Sequence, residues 1–286
     1  MASSSTHHEH ITGNRGTLRP AAFTLVELLV VIGIIALLIS IVMPSLNSAR
    51  VMARNTRTQA LIKTVGDGVE MFYSDRVIGG QYPPSRWECD VAANTPGTLD
   101  DAPGFIAYGA ETLVWALAGP DLIGPAGFEI GNMNNLYTDT SPRRTPFLDT
   151  SKASISDLGD AVSTVAEDDA AAATRHAFMI LDTNHRPILY YRANAGAADP
   201  TAIYTYTDNY GVLGANGHDG DPLYDQGDWV ADPPDGFEGF IHDPRLPVTV
   251  PPRPHNATSF ILISPGEDNQ YGTGDDIANF PVPQTD

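Results

Sequence analysis

The sequence has almost no cysteine and comparatively few basic residues. Cys89 is the one cysteine in 286 residues, so an intrachain disulfide is impossible. Lysine and arginine total 16 against 35 aspartates and glutamates, which gives a formal net charge of −19. A nucleic-acid partner requires a basic surface, so this acidic composition argues against nucleic-acid binding. An acidic surface is compatible instead with a well-solvated extracellular protein or with cation binding.

The common sequence signatures of enzymes are also missing. The chain contains no G-x-S-x-G, no H-E-x-x-H and no P-loop. His218, close to Asp219 and Asp221, is the nearest approach to a hydrolytic or metal cluster. A single histidine in such a polar loop is usually just solvated. We therefore expect that the protein is not an enzyme.

The charge that is present is distributed unevenly along the chain. Residues 1–63 hold six basic and two acidic residues (6 − 2 = +4), and the remainder holds 10 basic and 33 acidic residues (10 − 33 = −23). Arg50, Arg54 and Arg57 recur at helical spacing, which places them on one face of a helix. The body of the protein is therefore acidic and its N-terminal region basic.

Residues 23–43 form the one long apolar run, bounded by Arg19-Pro20 before it and Pro44 after it. About 20 apolar residues are enough to cross a hydrocarbon core of ~30 Å as a helix. Glu27 is the one ionisable residue of the run. A carboxylate costs ~2.5–3.5 kcal/mol at the centre of such a helix and less toward its ends, so its presence indicates a function.

The helix is expected to resume after Pro44. Leu61, Val65, Val69 and Phe72 follow one another at spacings of four, four and three, an apolar stripe of helical period. We therefore predict one long helix over residues 23–75, of which 23–43 is the transmembrane part, with a kink or loosening at Pro44.

Residues 76–286 are predicted to form a globular α+β head. A short amphipathic helix is expected at 109–119. Two apolar runs, 177–181 and 187–192, are predicted to pair as a hairpin around the turn 182–186. A third strand is expected at 259–264.

One region of the head is too rich in turn residues for a compact core. Residues 194–257 contain many glycines, aspartates, prolines and asparagines and few apolar runs. A stretch of this length is either functional or partly disordered, and we describe it as insertion-like loops.

The start of the apolar run carries a specific resemblance. Ala22-Phe23-Thr24-Leu25-Val26-Glu27, followed by an aliphatic run and Pro44, resembles the processing signal of type IV pilins and type II secretion pseudopilins. Counted from Phe23 as the first mature residue, Glu27 is the fifth and Pro44 the twenty-second, where the family carries these residue types. The family usually has glycine before the cut, whereas this chain has Ala22.

This resemblance implies a pilin-like fold, a long N-terminal helix packed on a small antiparallel sheet. It implies that a prepilin peptidase removes a cytoplasmic leader, residues 1–22, and methylates Phe23. The precursor would sit in the bacterial inner membrane as a single-pass protein, with its C-terminal head outside the cytoplasm. The assembly machinery of that membrane would then stack it with further copies and other pilin-like subunits, with Glu27 contacting a neighbouring subunit.

Two alternatives follow from the same residues. Within the family, the lone cysteine and an acidic C-terminal loop favour a periplasmic type II pseudopilus over a type IV pilus-like surface filament, because many type IV pilins close their C-terminal loop with a disulfide. The alternative from another class is a membrane-anchored extracytoplasmic binding module or enzyme that uses the helix only as a tether. A tether has no need of a cleavage residue at Phe23 or of an acid at Glu27.

The acidic loop is a candidate calcium site. Residues 264–277, directly after the third predicted strand, combine acids with glycine-assisted turns, and Ca²⁺ prefers oxygen ligands. The EF-hand spacing is absent. The loop resembles the C-terminal calcium loop of the major pseudopilin, which implies Asp268, Asp275 and Asp276 as side-chain ligands. A solvated acidic turn is the alternative.

The first testable prediction is processing between Ala22 and Phe23. In cells that contain a prepilin peptidase, the mature protein is expected to begin with N-methylated Phe23, as measured by intact mass and N-terminal peptide. Ala22→Arg should block cleavage because a large charged side chain replaces a small one, and Ala22→Gly is the matched control that should be cleaved normally. Recovery of mature wild-type protein that retains residues 1–19 would contradict the prediction.

Overall fold

The structure, a computed structural model, describes residues 24–75, 80–88, 106–119, 122, 124, 145–157, 178–209, 212, 236–246 and 253–283. The chain divides into two compact units, Met1–Ala49 and Arg50–Asp286. The predicted leader and the cleavage residues Ala22 and Phe23 lie outside the described residues.

Helix α1 spans Leu25–Ser74 and continues through Pro44. In the first unit every residue from Thr24 to Ala49 is exposed, which includes the apolar run from Thr24 onward. Among the described residues, α1 is the helix that is long and apolar enough to cross a membrane. A helix with apolar side chains all round its circumference is stable only where something other than water surrounds it.

In the second unit, α1 buries one side. Its buried residues recur three or four positions apart and are Thr58, Ile62, Val65, Gly68, Val69 and Phe72. The predicted stripe is therefore correct for Val65, Val69 and Phe72, whereas Leu61 is only partly buried and Ile62 occupies the core beside it. The α1 stripe packs against helix α2, Gly109–Ala118, all of whose residues are buried.

Within the described residues the strands form three small antiparallel sheets, and with α1 and α2 they give an α+β arrangement consistent with a pilin-like fold. Strand β1, Arg86–Glu88, pairs with β2, Ile106–Tyr108. Strand β3, Ser154–Asp157, pairs with β4, Phe178–Leu181. The third sheet has the order β5-β6-β7 and consists of Leu189–Arg192, Phe260–Ser264 and Ile277–Ala278.

The predicted hairpin forms only next to its turn, where Leu181 and Pro187 form a bridge and the Ile188 N–H donates to the Ile180 carbonyl at 2.8 Å. The strands at 178–181 and 189–192 exist, and the turn between them closes through the Asp182 N–H to the Arg186 carbonyl at 2.8 Å. Beyond a bridge between Leu181 and Pro187, however, β4 pairs with β3 and β5 pairs with β6. The polar segment at 154–157 gives too weak a strand signal to compete with two apolar runs, so sequence reasoning pairs those runs with each other.

The β5–β6 pair is buried on both faces. Tyr190 and Leu262 face the cluster that contains α1 and α2, and their neighbours face a second cluster. Those neighbours are Leu189, Tyr191, Ile261 and Ile263. Burial on both faces explains why these strands are continuously apolar rather than alternating.

Parts of the predicted insertion-like region 194–257 complete this second cluster. Ile203 and Tyr204 belong to it, as do Phe237 and Phe240 of a one-turn helix, α3 (Phe237–Phe240). The Tyr204 hydroxyl also donates to the Asn256 carbonyl at 2.6 Å. These described parts of the region therefore act as a second layer over the sheet.

The start of α2 packs closely against β5 and Asn209. A Cβ added at Gly109 would lie 2.0 Å from the Tyr190 carbonyl oxygen and 2.8 Å from the Asn209 side-chain nitrogen. Asn209 holds the two elements together, because its amide donates to that same carbonyl at 2.8 Å and its oxygen accepts the Ala110 N–H at 2.9 Å. Backbone and a buried amide cannot move aside cheaply.

Gly109→Ala is therefore expected to lower the free energy of unfolding by about 1–3 kcal/mol or more, the cost of overpacking a well-packed core. Gly66→Ala is the matched control. Its nearest new contact would be 3.9 Å away, and alanine should stabilise α1 there by up to about 1 kcal/mol. Denaturant unfolding of both full-length variants measures the difference, and equal midpoints would contradict the packing described here.

Candidate functional site

The acidic loop after β6 is closed around one carboxylate. Asp275 Oδ2 accepts the backbone N–H groups of Glu267 at 2.6 Å and Asp268 at 3.2 Å. Its other oxygen accepts the Thr273 hydroxyl at 2.6 Å. A Cβ at Gly266 would lie 2.2 Å from Asp275 Oδ2, so glycine is required for this approach. These hydrogen bonds lower the pKa of Asp275 against the opposing effect of burial.

Asp276, next in sequence, is buried where Asp275 is exposed. Burial raises the pKa of Asp276 to about 8, although the Gly272 N–H donates to its Oδ2 at 2.7 Å. Its Oδ1 lies 3.1 Å from the Thr273 hydroxyl, whose single proton is shared with the closer Asp275. A protonated Asp276 can donate to the Thr273 oxygen, which resolves this competition at neutral pH.

Polar contacts fix the loop to the β4–β5 turn and the turn to α1. The buried Asp182 accepts the Ser264 hydroxyl at 2.7 Å, and the Asn184 side chain donates to the Gly266 carbonyl at 3.0 Å. On the other side of the turn, the hydroxyls of Thr183 and Thr58 lie 2.8 Å apart. The loop, the turn and the helix therefore form one connected polar network.

The carboxylates of this network are engaged with donors from the protein itself. Within the described parts of the chain, no three acidic, histidine or cysteine side chains are grouped so that they could hold a metal ion. Asp268, Asp275 and Asp276 supply oxygen atoms of the type that Ca²⁺ prefers, but as arranged they do not converge on one point. Calcium binding by this loop stays a prediction.

The second candidate site lies at the start of α1 and consists of Thr24 and Glu27. Glu27 Oε2 accepts the Thr24 backbone N–H at 2.9 Å and the Thr24 hydroxyl at 2.8 Å. In return, the Glu27 N–H donates to the Thr24 hydroxyl oxygen at 3.2 Å. This is a reciprocal N-terminal capping box, which satisfies backbone donors that the first helical turn otherwise leaves without partners.

Sequence reasoning singled out Glu27 but missed Thr24 as its partner. The signal was present, because Thr-x-x-Glu directly before an apolar run is the pattern of a capping box. The contact between Asp182 and Ser264 had no such signal, since 82 residues separate the two.

Comparison with known proteins bears on this N-terminal site. Residues 19–43 match the family described as the prokaryotic N-terminal methylation motif. The chain carries a prepilin signal of the type IV pilin and pseudopilin kind. No curated protein sequence and no solved structure shows a significant match to the chain.

The prepilin signal implies processing by prepilin peptidase and assembly with pilin-like subunits in general. Together with the long apolar helix, it indicates membrane anchoring. The signal includes Ala22, Phe23 and Glu27, and the structure describes the last of these. Pilin-like proteins with this signal are generally structural rather than enzymatic.

The raised pKa of Asp276 gives a pH prediction. An aspartate has a pKa of about 3.9 in an unfolded chain, so the folded state holds this proton up to about pH 8 and the unfolded state releases it. The contribution of Asp276 to the stability of the folded state is therefore complete below about pH 4 and is lost as the pH rises toward 8. Asp276→Asn, which mimics the protonated form, should remove this contribution to the pH dependence.

Chemical unfolding of the full chain and the variant at pH 5 and pH 8 measures the effect. The variant should gain in stability relative to wild type as the pH rises. If the difference in free energy of unfolding between variant and wild type is the same at both pH values, the assignment of a buried, protonated Asp276 is contradicted.

Calcium binding predicts a separate stability effect. A ligand present at a hundred times its Kd that binds the folded state alone adds ~2.7 kcal/mol. Calcium should therefore raise the melting temperature of the full chain relative to chelator, and Asp275→Ala combined with Asp276→Ala should abolish the difference. Melting curves of wild-type protein that coincide at millimolar calcium and in chelator would reject the site.

Proposed function

We propose that the protein is a structural subunit of a pseudopilus-like filament, assembled through the apolar half of α1 after removal of its leader. The prepilin signal at residues 19–43 is the observation that carries the proposal. A purely tethering helix needs neither a processed N-terminus nor an acid at its start.

The exposure of α1 agrees with this proposal. Every residue from Thr24 to Ala49 is exposed, so no described residue of this unit covers the apolar run from Thr24 onward. A bilayer can cover it in the precursor, and the equivalent helices of other copies can cover it in a filament. The same side chains then serve both states, which is what transfer from membrane to filament requires.

Glu27 supplies the polar contact in this transfer. In the single chain its carboxylate is satisfied by the Thr24 N–H and hydroxyl, which lowers the cost of placing it near the apolar region. The peptide N–H of Thr24 survives cleavage before Phe23, so the capping box remains in the mature protein. A carboxylate accepts more than two hydrogen bonds, and Glu27 therefore has capacity left for the Phe23 amine of a neighbouring subunit.

The finer assignment is a type II secretion pseudopilus. It is supported by the lone Cys89, which leaves the C-terminal loop without a disulfide, and by the hydrogen-bonded acidic loop that takes the place of one. The precursor would then lie in the bacterial inner membrane with its head outside the cytoplasm, and the filament would extend into the periplasm. The inner-membrane assembly machinery would be its partner.

The test is assembly of Glu27 variants. Glu27→Ala and Glu27→Gln should both be inserted and processed but should not enter filaments, because each leaves a neighbouring amine buried without its counter-charge at ~3–5 kcal/mol. Glu27→Gln keeps the size of the side chain, so it separates the effect of charge from that of shape. Asp67→Asn, an exposed acid later in α1, is the matched control that should assemble.

Processing is read from the intact mass and assembly from shearing and pelleting. Normal assembly of both Glu27 variants would contradict the proposed role of this residue. Wild-type protein that is processed but never assembles, while its head shows a binding or catalytic activity, would favour the membrane-anchored module instead.

A further inference from the structure

The basic face of α1 has no role in the function proposed above. Arg50, Arg54 and Arg57 fall within an arc of ~60° at 3.6 residues per turn, and all three are exposed. None of them forms an ion pair or a side-chain hydrogen bond with any residue that the structure describes. We call these three residues the arginine column.

The arginine column is unfavourable in isolation. Arg50 and Arg54 are four residues apart, and Arg54 and Arg57 are three apart. Both pairs are therefore like-charge neighbours on one helix face, which destabilises the helix. No acidic residue occurs between Glu27 and Asp67, so the helix offers no counter-charge along this length. Nearby, the β4–β5 turn contributes Arg186, and its one acid, Asp182, is buried and already accepts three hydrogen bonds.

The counter-charge is abundant elsewhere on the chain. Residues 64–286 carry 10 basic and 33 acidic residues, a net charge of −23. Described acids on this surface include the exposed Glu267, Asp268 and Asp275. Because a copy of this protein offers exposed arginines on α1 and exposed carboxylates on its head, two copies carry complementary charges. Guanidinium groups bind carboxylates in a two-point geometry that an ammonium group cannot match.

The position of the column on the head favours a protein partner. Thr58, one residue past Arg57, is 2 % exposed, and the Arg54 carbonyl accepts the Thr183 hydroxyl at 3.4 Å. The column therefore borders the surface where α1 meets the folded head, within the unit that carries the acidic charge. Anionic lipid phosphates share the same recognition chemistry and are the alternative that the experiment must separate.

We infer that the arginine column docks on the acidic head of a second copy of this chain and so contributes to subunit contacts beyond the apolar helix. This inference rests on the proposed filament. The docked arginine column would add a salt-sensitive electrostatic contact to the apolar helix contact, which salt does not weaken. The screening length falls from ~10 Å at 0.1 M to ~3 Å at 1 M ionic strength, so the two contacts can be separated experimentally.

The experiment measures dissociation of sheared filaments as salt is raised from 0.1 M to 1 M. Three proteins are compared with wild type. In the first, Arg50, Arg54 and Arg57 are all changed to glutamine, and in the second all three are changed to lysine, which keeps the charge. The third, Lys63→Gln with Lys152→Gln and Arg253→Gln, removes the same charge from exposed residues outside the column.

The glutamine variant is expected to dissociate roughly tenfold more readily than wild type at 0.1 M, because it loses three exposed ion pairs whose contributions add. At 1 M salt the two should converge. At 0.1 M, dissociation of the lysine variant should be intermediate between that of wild type and that of the glutamine variant. The third variant should dissociate like wild type.

Three outcomes would overturn the inference. The first is wild-type salt dependence of the glutamine variant. The second is that the glutamine variant keeps wild-type salt dependence in filaments but is retained less well than wild type in phosphatidylglycerol vesicles, and equally well in phosphatidylcholine vesicles. That outcome would assign the column to anionic lipid. The third is an equal loss in the variant that alters charges outside the column, which would indicate a net-charge effect. Failure of wild type to form filaments at all would instead reject the proposed function on which the inference rests.

Discussion

The apolar half of α1 has to be kept out of water, and this constraint governs the rest of the molecule. Fifteen large apolar side chains between Leu25 and Met43 are exposed, with 45–78 % of their surface accessible. Removing one such side chain from water is favourable by ~1.5–3 kcal/mol. The free energy gained by burying all of them therefore exceeds the net folding stability of an ordinary domain. Leaving these side chains in water is therefore strongly unfavourable, and a bilayer or other apolar helices can cover them.

The head is built so that the C-terminal half of α1 is one of its own core elements. Val65, Val69 and Phe72 pack with α2 and with one face of the β5–β6 pair, while described parts of residues 194–257 cover the other face. The polar contacts from Thr58 through the β4–β5 turn to the acidic loop add a second connection at the opposite end of the same half-helix. Packing and polar contacts together fix the helix to the head along the length over which it is buried.

The elements of this fold that carry a strong local pattern could be predicted from the sequence. The apolar run, the buried stripe of α1, the helix at 109–118 and the strand at 260–264 all have the periodicity or continuity that burial imposes. The pairing of β4 with the polar β3 could not be predicted, because strand order depends on contacts between distant residues. The capping box of Thr24 with Glu27 was available from its four-residue pattern, whereas the closure of the acidic loop around Asp275 depends on backbone conformation that composition does not reveal. For this reason the sequence of the loop indicates residue types that suit calcium but does not indicate whether their side chains converge on one point.

Helical reconstruction of filaments sheared from cells that express the wild-type protein tests the central claim most directly. The account predicts a filament with α1 at its centre, the apolar residues 25–43 packed against those of other copies, and Glu27 within hydrogen-bonding distance of the Phe23 amine of a neighbour. Filaments in which α1 lies at the periphery, or cells that accumulate the processed protein as isolated membrane-anchored chains, would contradict it.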